Sequence, residues 1–336
     1  MGDVERTMPE PETAGEAAVL DARRGDAVLV TGAAGLVGTH VCRELLRRGW
    51  EVRAMVRSAG RAAERLGHLP VRVVAGDLRD PAAVRAAVQG VDAVVHLAAI
   101  AIERPGQSYE DVNTVATIGL LDAAGDAGVE RLVHMSQNGA SSDSPYRFLR
   151  SKGMADDRVR ASGLSWTVLR PSVIFGPEDE FVNVLARLVR LSPVVYPLPD
   201  GGRARFQPVA VDDVARAVAQ ALDTPDTVGG SYDLGGPAAL TLRQMVERVL
   251  LAMDASRVLV PVPVAVLRPL VALAQRVLPN PPVTTSLLDL LALDNTVAGD
   301  ALRDVFGIVP TPFAPEELHY LRDITAGEAL RSMMGR

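Results

Sequence analysis

The strongest restriction on this chain's fold is a glycine cluster that interrupts an apolar run. AVLVT at 27–31 runs into TGAAGLVG at 31–38, and residues 36–48 then carry an amphipathic helical pattern. Gly32, Gly35 and Gly38 fall three residues apart at this strand-to-helix junction. The first permits a sharp turn, the second lets backbone approach a pyrophosphate, and the third lets the helix pack closely on the strand. Free N–H groups at the helix N-terminus then face the phosphates. The stretch Thr31–Gly38, with Ala34, Leu36 and Val37 between the glycines, is read as a dinucleotide cradle.

The same rhythm continues downstream. Val52–Val56, Val71–Ala75, Val91–Leu97, Arg131–Met135 and Ser165–Leu169 read as strands separated by helical patterns. Asp80 and Pro81 read as a cap and first helical residue, and Ser144-Pro145 repeats that signature before a helix to about Arg160. Strands alternating with helices predict an α/β fold, a doubly wound parallel sheet of the Rossmann kind. Beyond PSVIFGPEDE at 171–180 the rhythm breaks, although 208–223 reads as a short strand and helix and Ser231–Leu234 as a last strand. The expected division is a disordered tail at 1–25 and a dinucleotide-binding domain at 26–177, to which 206–235 return. A smaller, mostly helical C-terminal lobe takes 178–205 and 236–325.

The most apolar stretch is VLVPVPVAVLRPLVALAQRVL at 258–278. Pro261, Pro263, Pro269, Arg268 and Arg276 argue against a membrane span. It reads as a buried lobe helix, with an interfacial or partner-facing helix as the alternative.

The second strand, EVRAMVR, ends in Arg57 rather than in the acid that would accept from a ribose 2′-hydroxyl. Arg53, Arg61 and Arg65 lie near it. An arginine there suits a 2′-phosphate, so NADP(H) is preferred over NAD(H); the plain alternative is a solvated side chain. Asp77, after the third strand, stands where a carboxylate accepts from an adenine amine, or is a simple turn residue.

Composition sharpens one position. Of 35 cationic residues, 34 are arginine, and the only lysine is Lys152. A compact ammonium on a flexible stem is not replaced by a planar guanidinium, so its survival suggests a site that needs it; chance placement is the alternative. The net charge of −6 gives no sign of a nucleic-acid partner. The lone cysteine, Cys42, reads as a small core residue, and the five histidines show no metal-ligand spacing. No signal peptide is visible at the N-terminus, so the expected location is cytoplasmic, or peripheral at the inner face of a membrane.

With these stretches in view, the chain resembles an extended, atypical short-chain dehydrogenase/reductase of the epimerase/dehydratase-like kind. The resemblance covers about 26–325 and rests on TGAAGLVG, GDLRD, HLAA, RLVHMSQNGA, RSK, LRPSVIFGPEDEF and QPVAVDDVA. PSVIFGPED at 171–179 and LDNTV at 293–297 are narrower, and point to the branch holding the NAD(P)H-binding accessory subunit of respiratory complex I and its bacterial relatives. The resemblance implies that the glycine loop, Asp77, Leu78, Ala98 and Ala99 line the cofactor. It places Ser136 as the polar group at the end of the fifth strand, and Pro171 and Val173 in a loop beside the nicotinamide. Asn113 resembles a helix asparagine of the wider superfamily, or is an ordinary helix polar residue.

The superfamily sets a tyrosine four residues before its lysine, so that both share a helix face. The phenol moves the proton, and the ammonium lowers its pKa and holds the nicotinamide ribose. Four residues before Lys152 stands Phe148, which has no proton to give. Tyr146 precedes Lys152 by six residues, which turns it about 120° away on a helix; it serves only if the helix begins later than Pro145. His96 and His134 read as core or strand-end residues. Glu178 and Asp179 read as a solvated loop or, alternatively, as a source of a general acid. Asp212 and Asp213 read as helix caps.

Three functions fit these features. One is an NADP(H)-binding protein with weak or no reductase activity and a structural, sensing or assembly role. Another is an active NAD(P)-dependent oxidoreductase or sugar-nucleotide epimerase/dehydratase with a non-standard acid. The last is an interaction protein whose C-terminal lobe meets a membrane surface or membrane complex.

Overall fold

The computed structural model describes residues 26–334; the expected tail at 1–25 lies outside them. In chain order the first part comprises β1 (Ala27–Thr31), α1 (Leu36–Arg47), β2 (Glu51–Val56), α2 (Ala59–Leu66), β3 (Arg72–Ala75), α3 (Pro81–Val88) and β4 (Ala93–His96). A π-helical turn (Glu110–Val115) leads into α4 (Ala116–Asp126), then β5 (Arg131–Met135), α5 (Arg147–Arg160) and β6 (Ser165–Pro171). After β7 (Ile174–Phe175) come α6 (Val182–Leu191), β8 (Val195–Pro199), β9 (Arg205–Phe206), β10 (Val209–Ala210), α7 (Val211–Asp223) and β11 (Ser231–Leu234). The remainder holds β12 (Leu240–Thr241), α8 (Leu242–Ala252), β13 (Val258–Val262), α9 (Val264–Val277), α10 (Thr285–Leu290), α11 (Ala301–Asp304) and α12 (Ala326–Met333).

The central sheet has seven parallel strands in the order β11-β6-β5-β4-β1-β2-β3. The doubly wound reading is therefore correct. Strand order reverses beside β1, between β2 and β4, and the crevice beyond the carboxyl ends of those strands is where such sheets take ligands. The strands are short and β-branched, and Val28, Leu29 and Val30 are fully buried because helices cover both faces. On α1, Gly38, Val41, Cys42 and Leu45 recur at helical spacing and face the sheet core. Burial pushes the Cys42 thiol up to about 12, so it is a core residue without nucleophilic character.

A second apolar cluster gathers α6, α8, β8 and the segment around Phe313, with Phe175 and Phe313 in edge contact at 5.1 Å. This mostly helical lobe also holds two strands that the sequence reading took for a proline-rich loop and part of a helix. Val195–Pro199 and Val258–Val262 pair in parallel, Val195 opposite Val258. Their prolines hid them, since proline disrupts a strand pattern except at an edge. The first five residues of the apolar stretch thus form β13, and only the rest is helix.

That helix, α9, has no buried residue, which overturns the buried-helix reading. Val266, Leu270, Leu273 and Val277 are all exposed, Leu270 at 61% and Val277 at 70%. The helix is 14 residues long, about 21 Å, and among the described residues no helix is long and apolar enough to cross a membrane.

Two smaller expectations also change. Asp212 and Asp213 lie within the first turn of α7 and do not cap it. Asp212 pairs with His40 on α1 at 2.5 Å, and the buried Asp213 accepts from the Thr311 N–H at 2.6 Å. Helix α5 starts at Arg147 rather than Pro145, with Tyr146 as its extended N-cap at φ −87°, ψ 117°.

Candidate functional site

The glycine motif places its residues as the turn requires. Gly32 sits at φ +71°, and a Cβ there would stand 2.9 Å from the Ala98 amide nitrogen. A Cβ on Gly38 would lie 2.2 Å from the Gly32 carbonyl oxygen. Gly35 is the N-cap of α1 without a side-chain cap, so it leaves the first-turn N–H groups to an outside acceptor. Gly35 is exposed, and Leu36 and Val37 half-buried, at that helix end, while Ala34 and Gly38 are buried behind them. This cradle fits a pyrophosphate.

Thr31 closes the back of the cradle. The Ala98 N–H donates to its Oγ1 at 3.3 Å, and Oγ1 lies 2.7 Å from His96 Nδ1. On the far side His96 Nε2 lies 2.8 Å from Thr117 Oγ1, whose own proton goes to the Asn113 carbonyl at 2.8 Å. Thr117 has no second proton, so His96 Nε2–H donates to it and Nδ1 accepts from Thr31. Burial holds His96 neutral, well below the ordinary histidine pKa.

At the carboxyl end of β2, Arg57 is exposed. Its neighbours are engaged elsewhere. Arg53 donates to the Ala87 and Gln89 carbonyls, each at 2.7 Å, and Arg65 pairs with Glu178. Asp77 is gripped by Arg79 through its side chain, at 2.8 and 3.1 Å, and its backbone N–H at 2.9 Å. That grip, with help from Arg57, lowers the Asp77 carboxyl to about 2. Leu78 is buried next to it, Ala98 is half-buried and Ala99 exposed beyond β4.

At the other end, Lys152 is 4% exposed on α5. Its ammonium donates to the carbonyl of Met135, the last residue of β5, at 2.6 Å. Burial lowers it to about 8, against the opposing pull of Asp156. Ser136 follows Met135 at once; its N–H donates to the Leu169 carbonyl at 2.8 Å, and its buried Oγ faces the Asp156 carboxylate. An ammonium and a buried hydroxyl thus lie together at the carboxyl end of β5.

Phe148 lies one turn before Lys152 and packs its ring on Tyr109, centroids 5.6 Å apart. The Tyr109 hydroxyl donates to the Ala101 carbonyl at 2.9 Å. Tyr146 leaves the helix, and among the described residues no hydrogen bond joins its hydroxyl to Lys152 or Ser136. Asn113 lies within the π-helical turn and clamps the site from behind. Its Oδ1 accepts from the Ile100 N–H at 2.8 Å, and its Nδ2 donates to the Ile100 carbonyl and to Ser151 Oγ, each at 3.1 Å.

Pro171 ends β6, and its carbonyl accepts from the Asn138 N–H at 3.0 Å. The Val173 carbonyl accepts from the Val209 N–H at 3.0 Å. LDNTV forms a clasp over this loop: Ser172 Oγ donates to the Asn295 carbonyl at 2.7 Å, and Asn138 Nδ2 donates to Asn295 Oδ1 at 2.8 Å. Asp179 is buried and not a solvated loop residue. Its carboxylate accepts from the N–H groups of Phe181, Val182 and Asn183, at the start of α6. Glu178 is exposed, with left-handed backbone at φ 69°.

The sequence reading missed one buried cluster. Asp156, one turn beyond Lys152, stands 3.4 Å from both His134 Nε2 and Arg170 Nε. His134 stacks on His96 at 5.1 Å. Burial raises the Asp156 carboxyl, but His134, the Ser136 hydroxyl and Lys152 outweigh that and bring it below the ordinary range. The spacing of four from Lys152 was its only sequence signal. Among the described residues no cluster of metal-ligating side chains occurs.

The profile of the NAD(P)H-binding family matches residues 32–225. NADH dehydrogenase [ubiquinone] 1 alpha subcomplex subunit 9, mitochondrial, of Arabidopsis thaliana is 32% identical over 229 residues, covering 66% of this chain and 57% of that protein. Its counterpart in Dictyostelium discoideum is matched over 62% of its length, so the chain spans about three fifths of these mitochondrial relatives. The 2-alkyl-3-oxoalkanoate reductase of Stenotrophomonas maltophilia is 30% identical over 332 residues, covering 89% of this chain and 99% of that protein. In fold, the dTDP-glucose 4,6-dehydratase DesIV of Streptomyces venezuelae, solved with NAD bound, superposes with a TM-score of 0.67 at 24% identity, over 88% of this chain and 96% of that one. The cradle, the sheet order and these relatives agree: the chain belongs to the NAD(P)H-binding Rossmann family, homologous to the mitochondrial complex I subunit and to bacterial reductases.

Proposed function

We propose that this protein binds NADP(H) and has little or no carbonyl-reductase turnover, the bound dinucleotide serving structure, sensing or assembly. One observation carries the reading: the only lysine of the chain is buried at the carboxyl end of β5 while Phe148 stands one turn before it. The glycine cradle receives the pyrophosphate, Arg57 the 2′-phosphate, Asp77 and Leu78 the adenine side, and Lys152 with Ser136 the nicotinamide ribose. Pro171 and Val173 flank the ring, and Ala98 and Ala99 line the crevice between. When bound, the nicotinamide supplies a hydride donor or acceptor. A positioned general acid is worth about 10²–10⁴ in rate, and Phe148 supplies none.

A second reading is an active NAD(P)-dependent oxidoreductase, or a sugar-nucleotide epimerase or dehydratase, with a different acid. Two observations favour it: Tyr146 is released from the helix, and a reductase aligns over nearly its whole length. Titration of NADPH and NADH into wild type and Arg57→Ala, with an NADPH-oxidation assay on 3-oxoalkanoates, separates the readings. The expected result is tight NADPH binding, preferential loss of NADPH over NADH in the variant, and turnover near background. Efficient turnover that Tyr146→Phe abolishes establishes the second reading instead.

The lobe adds a location. Between Ala255 and Leu288 the chain has three arginines and no acid, in a protein of net charge −6, and one of them, Arg268, pairs with Asp289 just beyond. The exposed apolar stripe of α9 lies in this segment. Apolar residues flanked by arginines suit the surface of an anionic membrane, where a respiratory complex would also be met.

A further inference from the structure

A cavity of about 650 Å³ opens between the sheet domain and the C-terminal segment, and its walls are cationic. Arg61 enters from α2, Arg104 from the loop after β4, Arg187 from α6 and Arg331 from α12. Four elements far apart in sequence thus bring four guanidinium groups to one space. Most arginines near carboxylates in this protein are paired: Arg48 with Glu44 and Asp223, Arg79 with Asp77, Arg147 with Glu103. These are not. Among the described residues Arg61, Arg187 and Arg331 make no salt bridge, and Arg104 reaches only Asn280 Oδ1, at 3.5 Å. The single carboxylate on the wall, Glu328, accepts from the N–H and hydroxyl of Thr325 at 2.9 and 3.1 Å and also feels the charge of Arg331 on the same helix. Four arginines thus face one carboxylate, which Arg331 attracts from the next turn of α12, in a chain that is acidic overall.

We infer that this cavity is a binding site for a phosphorylated small molecule, separate from the dinucleotide cradle. Guanidinium forks match phosphate oxygens two at a time. No aromatic side chain lines the cavity to receive a flat apolar body. The volume suits a small ligand. The glycine loop, Arg57, Asp77 and Lys152 do not line it. Its ligand touches α2 on one side and α6 and α12 on the other, so its phosphates join the two parts of the molecule. The neighbouring ion pair of Arg65 with Glu178 already spans from α2 to the loop before α6.

Calorimetric titration of inorganic pyrophosphate into the full chain, first free and then saturated with NADPH, tests this. Saturable binding is expected in both states, weakened at least about tenfold in the double variant Arg187→Gln/Arg331→Gln, which removes two of the four guanidinium groups. NADPH affinity in that variant is expected to stay within about twofold of wild type. Pyrophosphate that NADPH displaces is in the glycine cradle, and overturns the inference. So does a double variant that weakens NADPH but not NADH, because its arginines then serve the 2′-phosphate. Absence of saturable binding, or binding that the variant does not change, also overturns it. Circular dichroism of the variant confirms that a loss is not unfolding, and Arg61→Gln, on the other wall, gives an independent second reading.

Discussion

Two residues on one face of α5 carry opposite messages, and each gives a measurement. Phe148 is half-buried against Tyr109. Phe148→Tyr adds a hydroxyl one turn before Lys152 and removes nothing that holds a dinucleotide. NADPH affinity is expected to remain within about twofold, while NADPH-dependent carbonyl reduction rises by one to two orders of magnitude, within the range for a general acid. Lys152, buried and lowered to about 8, makes stability depend on pH. Between the folded value near 8 and the ordinary value of 10.5, the unfolded chain holds a proton that the folded one has released. The contribution of Lys152 to stability therefore rises with pH across that window, by up to about 3 kcal/mol. Urea unfolding of wild type and Lys152→Met from pH 7.5 to 10.5 is expected to show this rise only in wild type. Lys152 and Phe148 were legible from composition and a spacing of four. Asp156 was not, because nothing in a sequence distinguishes a surface acid on a helix from one that the fold turns beneath a histidine.

At the scale of elements, the β1–α1 junction is the most constrained. Gly38→Ala sets a methyl group 2.2 Å from the Gly32 carbonyl, and backbone has nowhere to go. A loss of about 1–3 kcal/mol is expected in urea unfolding, together with loss of NADPH binding, because α1 must move off the strand. This junction was readable because glycine spacing encodes backbone geometry directly. The sheet was readable for a related reason: buried parallel strands are short apolar runs, and the helices between them have a period of their own. β8 and β13 were not. Their proline-containing VYPLP and VLVPV resemble loops, and only their mutual pairing makes them strands. The start of α5 was misplaced by two residues because Ser144-Pro145 imitates a cap, whereas Tyr146 takes the extended N-cap conformation.

The exposed apolar residues of α9, Val266, Leu270, Leu273 and Val277, lie along one helix of the C-terminal lobe. The apolar stripe at 258–278 was visible in the sequence, but not the face it turned to. Hydropathy cannot separate a helix buried by its own fold from one that waits for a partner. Leu270→Glu/Leu273→Glu is expected to reduce cosedimentation with phosphatidylglycerol vesicles at least about fivefold, since each charge resists insertion and each lost leucine removes about 1.5–3 kcal/mol of apolar transfer. Because α9 buries none of its residues, the melting temperature is expected to shift by less than about 2 °C. A larger shift means that α9 belongs to the core after all.

The solitary amine of Lys152 has a practical consequence. A protease specific for lysine has one internal target here, and cutting there divides the chain into fragments 1–152 and 153–336. While the Nζ rests on the Met135 carbonyl, that bond is out of reach. The rate of cleavage then times the opening of α5, and slower digestion in the presence of a nucleotide reports occupancy without any label.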